Sequence, residues 1–91
     1  MQKILIIEDE VDIAELISFN LERNQFETVL AHNGIDGLNK ALSIKPDLII
    51  LDLMLPGMDG FNVNKELKRD PRTRNIPVIM LTAKAQTEDR I

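Results

Sequence analysis

Short apolar runs alternate along the chain with longer stretches in which apolar residues recur every three or four positions. Ile4–Ile7 and Leu48–Leu51 are continuously apolar, which is typical of strands buried on both faces. Phe26–Ala31 is a weaker run and predicts a strand nearer an edge. Val78–Leu81, which follows Pro77, predicts a fourth strand.

The stretches between these runs predict three helices: Glu10 to about Asn24, Gly34–Ile44 and Phe61–Arg69. The first helix carries a core-facing set at positions i, i+3 and i+7: Ala14, Ile17 and Leu21. Asn33 precedes the second helix and favours an N-cap there. The third helix is patterned less regularly, with Phe61 and Leu67 among its apolar positions.

The alternation of strand and helix predicts one α/β domain, a doubly wound parallel sheet with helices on both faces. Its crossover connections should be right-handed. In such sheets, ligands bind beyond the carboxyl ends of the strands, where the strand order reverses. The residues that follow each predicted strand are therefore the first place to look for chemistry.

Composition removes several classes of function. The chain has no cysteine, which excludes disulfides and thiolate metal sites, and its one histidine, His32, we interpret as a surface residue. Without tryptophan or tyrosine and with a net charge of -4, this segment is not expected to contact nucleic acid directly. No apolar run predicts a membrane span or a signal-peptide core, so a cytoplasmic location is expected.

Acidic residues follow the two most apolar strands. Glu8 and Asp9 come after the first strand, and Asp52 ends the third. If these strands are neighbours, their ends lie about 5 Å apart. Carboxylates this close repel one another unless a cation lies among them, and oxygen ligands suit Mg²⁺. The sequence therefore predicts a divalent-metal pocket in which Asp52 is best placed to act on a phosphoryl group.

A purely structural interpretation competes with this one. Acids that follow strands often cap helices, and Asp9 could cap the first helix as Asp59 could cap the third. The convergence of three carboxylates favours the functional interpretation, because such clustering costs stability that a structural role does not require.

Three stretches resemble the receiver domain of two-component response regulators, in order and in spacing: Ile4–Glu10, Leu48–Gly60 and Pro77–Ala83. The resemblance implies a flavodoxin-like sheet with strand order 2-1-3-4. It also implies a phosphoacceptor that assists its own phosphorylation and dephosphorylation rather than an enzyme. Its donor would be a sensor histidine kinase or a histidine phosphotransfer protein.

The resemblance also implies roles at matching positions. Asp52 corresponds to the phosphoacceptor and to a metal ligand, Asp9 to a direct Mg²⁺ ligand and Glu8 to one acting through water. The backbone carbonyl of Met54 would complete the metal site. Thr82 corresponds to the switch hydroxyl, and Ala83 to the small residue beside the phosphoryl site.

The first helix is implied to dock on the kinase. The matching positions are Asp12, Ile13 and Leu16. Leu16 and Phe19 fall off the core-facing side of that helix, which fits a docking patch but also fits ordinary surface hydrophobes.

The chain ends at Ile91, before the fifth strand, its lysine and the fifth helix of the family. We therefore expect residues 1–91 to be a C-terminally incomplete receiver domain. Its fourth strand would form an exposed edge open to self-association. Without that lysine, phosphorylation is expected to be weak or short-lived.

Other functions remain to be weighed. A phosphohydrolase with an aspartyl nucleophile needs a second carboxylate two residues later, where Met54 stands. Nucleotide binding is disfavoured because acids, not a glycine-rich loop, follow Ile7. Leu53–Phe61 looks most like family members with a winged-helix DNA-binding domain, which would make transcription control the output. A non-phosphorylatable protein-interaction fragment stays open as the alternative.

Overall fold

The computed structural model describes residues 1–81. Within them, seven elements follow one another: β1 (Lys3–Ile7), α1 (Val11–Arg23), β2 (Glu27–Ala31), α2 (Gly34–Ile44), β3 (Leu48–Asp52), α3 (Gly60–Arg69) and β4 (Val78–Leu81). All seven predicted elements are confirmed, with small differences at their ends. None of the helices within residues 1–81 has the length and apolar character needed to cross a bilayer.

The four strands form one parallel sheet in the order β2-β1-β3-β4, as the resemblance implied. β1 lies in the middle, and its Ile7 pairs with Ala31 of β2 and with Leu51 of β3. The predicted edge position of β2 is also confirmed. Because β1 and β3 are paired in register, the residues that follow them meet at one edge of the sheet.

Alternate residues of β1 enter two separate cores, which explains why this strand is apolar throughout. Ile4 and Ile6 pack with Ala14 of α1, whereas Leu5 and Ile7 face the side that carries α2 and α3. These four side chains are at most 2% exposed. Each buried aliphatic side chain stabilises the fold by about 1.5–3 kcal/mol, so the most apolar strands hold the sheet together.

Of the two apolar positions of α3 named from the sequence, only Leu67 lies in the core. Val63 and Leu67 are buried, whereas Phe61 is 66% exposed. The reason is the close approach of Gly60 to β3, since a Cβ there would lie 2.5 Å from the carbonyl oxygen of Asp52. Helical geometry then turns Val63 and Leu67 inward and Phe61 outward. The first turn of α3 is thereby packed against the end of β3.

Candidate functional site

Three carboxylates meet at the carboxyl edge of the sheet. Glu8 and Asp9 follow β1, and Asp52 is the last residue of β3. One carboxylate oxygen from each of the three lies within 4.8 Å of the others. The convergence predicted from the strand ends is therefore confirmed, and we call Glu8, Asp9 and Asp52 the acid cluster.

Main-chain amides hold two members of the acid cluster. Oε2 of Glu8 accepts a hydrogen bond from the amide of Glu10 at 3.0 Å. Oδ1 of Asp52 accepts one from the amide of Met54 at 3.1 Å. The second carboxylate oxygen of each residue is not engaged by these bonds. Glu8 and Asp52 are 3% and 2% exposed, and the half-buried Asp9 lies on the solvent side.

Burial and like charge act together on Glu8. The pKa of its carboxyl group is raised from 4.5 to about 7, chiefly by burial and also by the neighbouring charge of Asp52, against the hydrogen bond from Glu10. The acid cluster therefore carries electrostatic repulsion in a poorly hydrated place. A cation among the three carboxylates would relieve that repulsion.

The acid cluster suits a hard divalent cation. Its donors are carboxylate oxygens, which Mg²⁺ prefers, and three protein donors leave coordination positions for water or for a phosphoryl oxygen. The main chain of Met54 contacts the cluster, because its amide donates to Oδ1 of Asp52. The residues present thus fit Mg²⁺.

The loop between β3 and α3 is fixed by hydrogen bonds at both ends. The amide of Leu53 bonds the carbonyl of Leu81, and the amide of Gly60 bonds the carbonyl of Leu53, both at 3.1 Å. The side chain of Asp59 caps α3 by accepting from the amide of Asn62 at 2.9 Å. The capping role expected of Asp59 on structural grounds is confirmed.

The matching structural role for Asp9 is wrong. α1 begins at Val11 with Glu10 as its N-cap residue, and no side chain makes a capping hydrogen bond there. The side chain of Glu8 instead reaches the amide of Glu10. Asp9 therefore has no capping duty, and its carboxylate joins the acid cluster.

His32 is more than the surface residue that the sequence indicated. Its ring is half-buried, and Nδ1 lies 2.9 Å from the carbonyl oxygen of Glu8. The pairing of Ile7 with Ala31 explains this contact, because it brings the residues that follow β1 and β2 side by side. Predicting this contact requires the register of β1 and β2, which the composition does not reveal.

The other site residues implied by the resemblance are distributed as follows. Asp12 and Leu16 of α1 are exposed, and Ile13 is half-buried. Phe19 is also exposed, and the guanidinium of Arg23 lies 5.7 Å from its ring centre. Because α1 begins two residues after Asp9, this exposed face starts beside the acid cluster. Thr82 and Ala83 lie outside the described residues.

A groove of about 550 Å³ lies elsewhere, between α2 and α3, and contains no member of the acid cluster. Two arginines line it, but Arg69 pairs with Glu66 and Arg72 pairs with Asp70. These charges are already matched, so the groove offers no comparable chemistry.

Comparison with known proteins gives consistent matches. A family model described as "Response regulator receiver domain" matches residues 4–91. The DNA-binding dual master transcriptional regulator RpaA of Synechocystis sp. is 50% identical over 91 residues. That match covers 100% of this chain and 38% of the relative, so the chain spans under half the length of the regulator it resembles.

Solved structures agree with the fold. The N-terminal domain of a response regulator receiver protein from Methanoculleus marisnigri JR1 superposes with a TM-score of 0.89 at 37% identity, covering 91% of this chain and 68% of that one. The receiver domain of the sensor histidine kinase PA1611 from Pseudomonas aeruginosa PAO1 matches with a TM-score of 0.86 at 30% identity, over 90% and 67% of the two chains. That structure is described with a magnesium ion coordinated in its active site cleft.

Proposed function

The chain belongs to the response regulator receiver domain family, and from this premise we propose that it is a Mg²⁺-dependent phosphoacceptor switch with Asp52 as the acceptor. One observation carries the proposal: carboxylates from two neighbouring strands converge within 4.8 Å around the buried Asp52. Such clustering is costly for the fold and is useful for binding a cation, which in turn can hold a phosphoryl group.

Asp52 is suited to act as a nucleophile. The amide of Met54 holds Oδ1, which orients the carboxylate and leaves its second oxygen to attack phosphorus. On a phosphohistidine donor, an oxygen–phosphorus bond forms at Asp52 as the nitrogen–phosphorus bond breaks. The leaving ring nitrogen takes up a proton. Phosphoryl transfer needs little covalent work beyond this, so positioning and charge neutralisation account for most of the catalysis.

The acid cluster would supply the metal site. Asp9 and Asp52 would bind Mg²⁺ directly, Glu8 would act through water, and the Met54 carbonyl would be the remaining protein ligand. When bound, Mg²⁺ would neutralise charge on the carboxylates and on the phosphoryl oxygens. The magnesium ion of the PA1611 receiver domain supports this assignment.

Chemical labelling tests the proposal. With excess acetyl phosphate and Mg²⁺, part of the chain population is expected to gain the mass of one phosphoryl group, because the label is expected to be weak or short-lived. Borohydride, which reduces an aspartyl phosphate to homoserine, should mark position 52 in a peptide map. A chelator should prevent the labelling. If no label forms at any Mg²⁺ concentration, the alternative of a non-phosphorylatable interaction fragment is favoured instead.

We also propose that the natural donor is a sensor histidine kinase or a histidine phosphotransfer protein, and that the output of the longer protein is transcription control. The relation to RpaA supports the second statement, since that relative is named as a DNA-binding transcriptional regulator. We propose that residues 1–91 do not themselves contact DNA, since this segment carries a net charge of -4.

A docking prediction follows from the exposed face of α1. Leu16→Glu is expected to slow phosphoryl transfer from the cognate kinase about ten-fold or more, because a buried charge is costly at an apolar interface. Labelling by acetyl phosphate should not change. Ile35→Glu is a matched control, since Leu16 and Ile35 are both 61% exposed but lie on different helices. Equal slowing by both variants, measured by transfer from labelled kinase, would argue against docking at α1.

A further inference from the structure

Two hydrogen bonds attach the main chain of Glu8 to the end of β2. The amide of Glu8 donates to the carbonyl of Ala31 at 2.9 Å. On its other side, the carbonyl of Glu8 lies 2.9 Å from Nδ1 of His32. Because a carbonyl oxygen can only accept, Nδ1 carries the hydrogen and donates it. The peptide group that joins Glu8 to Asp9 is therefore held by the imidazole ring.

The orientation of this peptide group affects the acid cluster directly. Rotation of the plane between Glu8 and Asp9 would swing the carboxylate of Asp9 away from Asp52. Glu8 is anchored a second time by the bond from the Glu10 amide to its side chain. Asp9 is the most exposed member of the acid cluster, so the position of its carboxylate depends mainly on the direction of its backbone.

The backbone that carries His32 is fixed by the packed N-terminus of α2. The next residue, Asn33, caps α2 by accepting from the amide of Asp36 at 2.8 Å. One turn further, Gly37 approaches β1 so closely that a Cβ would lie 2.5 Å from the side chain of Ile7. The start of α2 is thus packed on the end of β1, and the half-buried His32 connects β2 to the N-cap residue of α2. Ligand sites depend on supporting contacts of this kind.

We propose that His32 is a positioning residue of the metal site, which fixes the Glu8–Asp9 peptide so that the two carboxylates meet Asp52. The inference rests on the proposed Mg²⁺-dependent function. It assigns to His32 no contact with the metal or the phosphoryl group.

Two substitutions separate positioning from simple stabilisation. In His32→Asn, the amide nitrogen is the same number of bonds from Cβ as Nδ1, so the donor is retained in place. In His32→Gln, the side-chain nitrogen is one bond further away and does not match Nδ1. Ser18→Ala is the matched control, since it removes a half-buried hydrogen bond to Thr28 far along the chain from the acid cluster.

Mg²⁺ is titrated into the metal-free proteins and followed by amide chemical shifts of residues 8, 9 and 52. We expect His32→Gln to raise the Mg²⁺ Kd about ten-fold. His32→Asn and Ser18→Ala should leave it close to that of the wild type, although Ser18→Ala lowers the unfolding midpoint. The split between the two His32 variants is the signature that a merely structural role would not give.

The outcomes are distinguishable. If the wild type and His32→Gln bind Mg²⁺ alike, the positioning role is wrong while the proposed function stands. If His32→Asn loses as much affinity as His32→Gln, the hydrogen bond from Nδ1 is not the cause and the inference also fails. If the wild type does not bind Mg²⁺, the proposed function fails and the inference falls with it.

Discussion

Asp52→Asn is expected to abolish phosphoryl labelling of the chain and, at the same time, to stabilise its fold. Labelling is lost because an amide cannot replace the attacking carboxylate oxygen. The shape of the side chain is kept, and its carbonyl oxygen can still accept the hydrogen bond from the Met54 amide. A failure to fold is therefore not expected to account for the loss.

The gain in stability comes from relief of the electrostatic repulsion within the acid cluster. The charge of Asp52 is one of the causes that raise the pKa of Glu8, and both residues are buried. The carboxylate oxygens of the acid cluster lie within 4.8 Å of one another. Removing the charge of Asp52 from this cluster should increase the free energy of unfolding by on the order of 1–3 kcal/mol. Residues kept for function at the expense of stability behave in this way.

Asp59→Asn is the matched control for this replacement. Asparagine caps helices as well as aspartate does, so the cap on α3 should be retained. This variant should be labelled like the wild type and should unfold at nearly the same urea concentration. Labelling is followed by mass spectrometry and stability by urea unfolding at about pH 8 in chelator. Residual labelling of Asp52→Asn, or a loss of its stability, would contradict the proposed role.

The sheet was predictable because its signals are local and strong. The apolar runs Ile4–Ile7 and Leu48–Leu51 have no polar residue that could face solvent, so they indicate central strands. Once these strands are neighbours, Glu8 and Asp52 must meet. The candidate acid cluster thus followed from two runs and the acids that end them, whereas the strand order itself came from the family resemblance.

Other features depend on tertiary contacts, which the spacing of apolar residues along the sequence does not predict. The inward turn of Val63 depends on how closely Gly60 approaches the carbonyl of Asp52, and this contact joins two separate elements. Asp59 is the residue directly before α3 and caps it, whereas Asp9 is one position further from α1, where Glu10 is the N-cap residue. The exact start of each helix decides the difference, and the spacing of apolar residues locates it only to within one or two positions.

The pH dependence of stability is the second large effect that we expect, and it centres on Glu8. In the folded protein the pKa of Glu8 is raised from 4.5 to about 7. Below 4.5 the carboxyl group is protonated in both the folded and the unfolded chain. Between the two values the unfolded chain has lost the proton and the folded chain keeps it, so stability falls as the pH rises. Above about 7 the folded chain bears the full cost, on the order of 3 kcal/mol.

Glu8→Gln isolates this contribution. Glutamine can still accept the hydrogen bond from the Glu10 amide, but it does not titrate. In chelator, the variant and the wild type should have similar free energies of unfolding at about pH 5. At about pH 8 the variant should be the more stable by on the order of 3 kcal/mol. Urea unfolding across this pH range measures the difference, and parallel curves for the two proteins would show that Glu8 is not the titrating group.

Mg²⁺ should reverse the order of stability of the wild type and Glu8→Gln, because the Glu8 charge that destabilises the metal-free fold also helps to bind the cation. A ligand stabilises the folded state in proportion to the logarithm of its concentration over Kd. At about pH 8, saturating Mg²⁺ should therefore stabilise the wild type more than Glu8→Gln. At about pH 5 the two proteins should respond similarly, since Glu8 is protonated in the folded chain. If Mg²⁺ stabilised both proteins equally at the higher pH, the charge of Glu8 would have no part in metal binding.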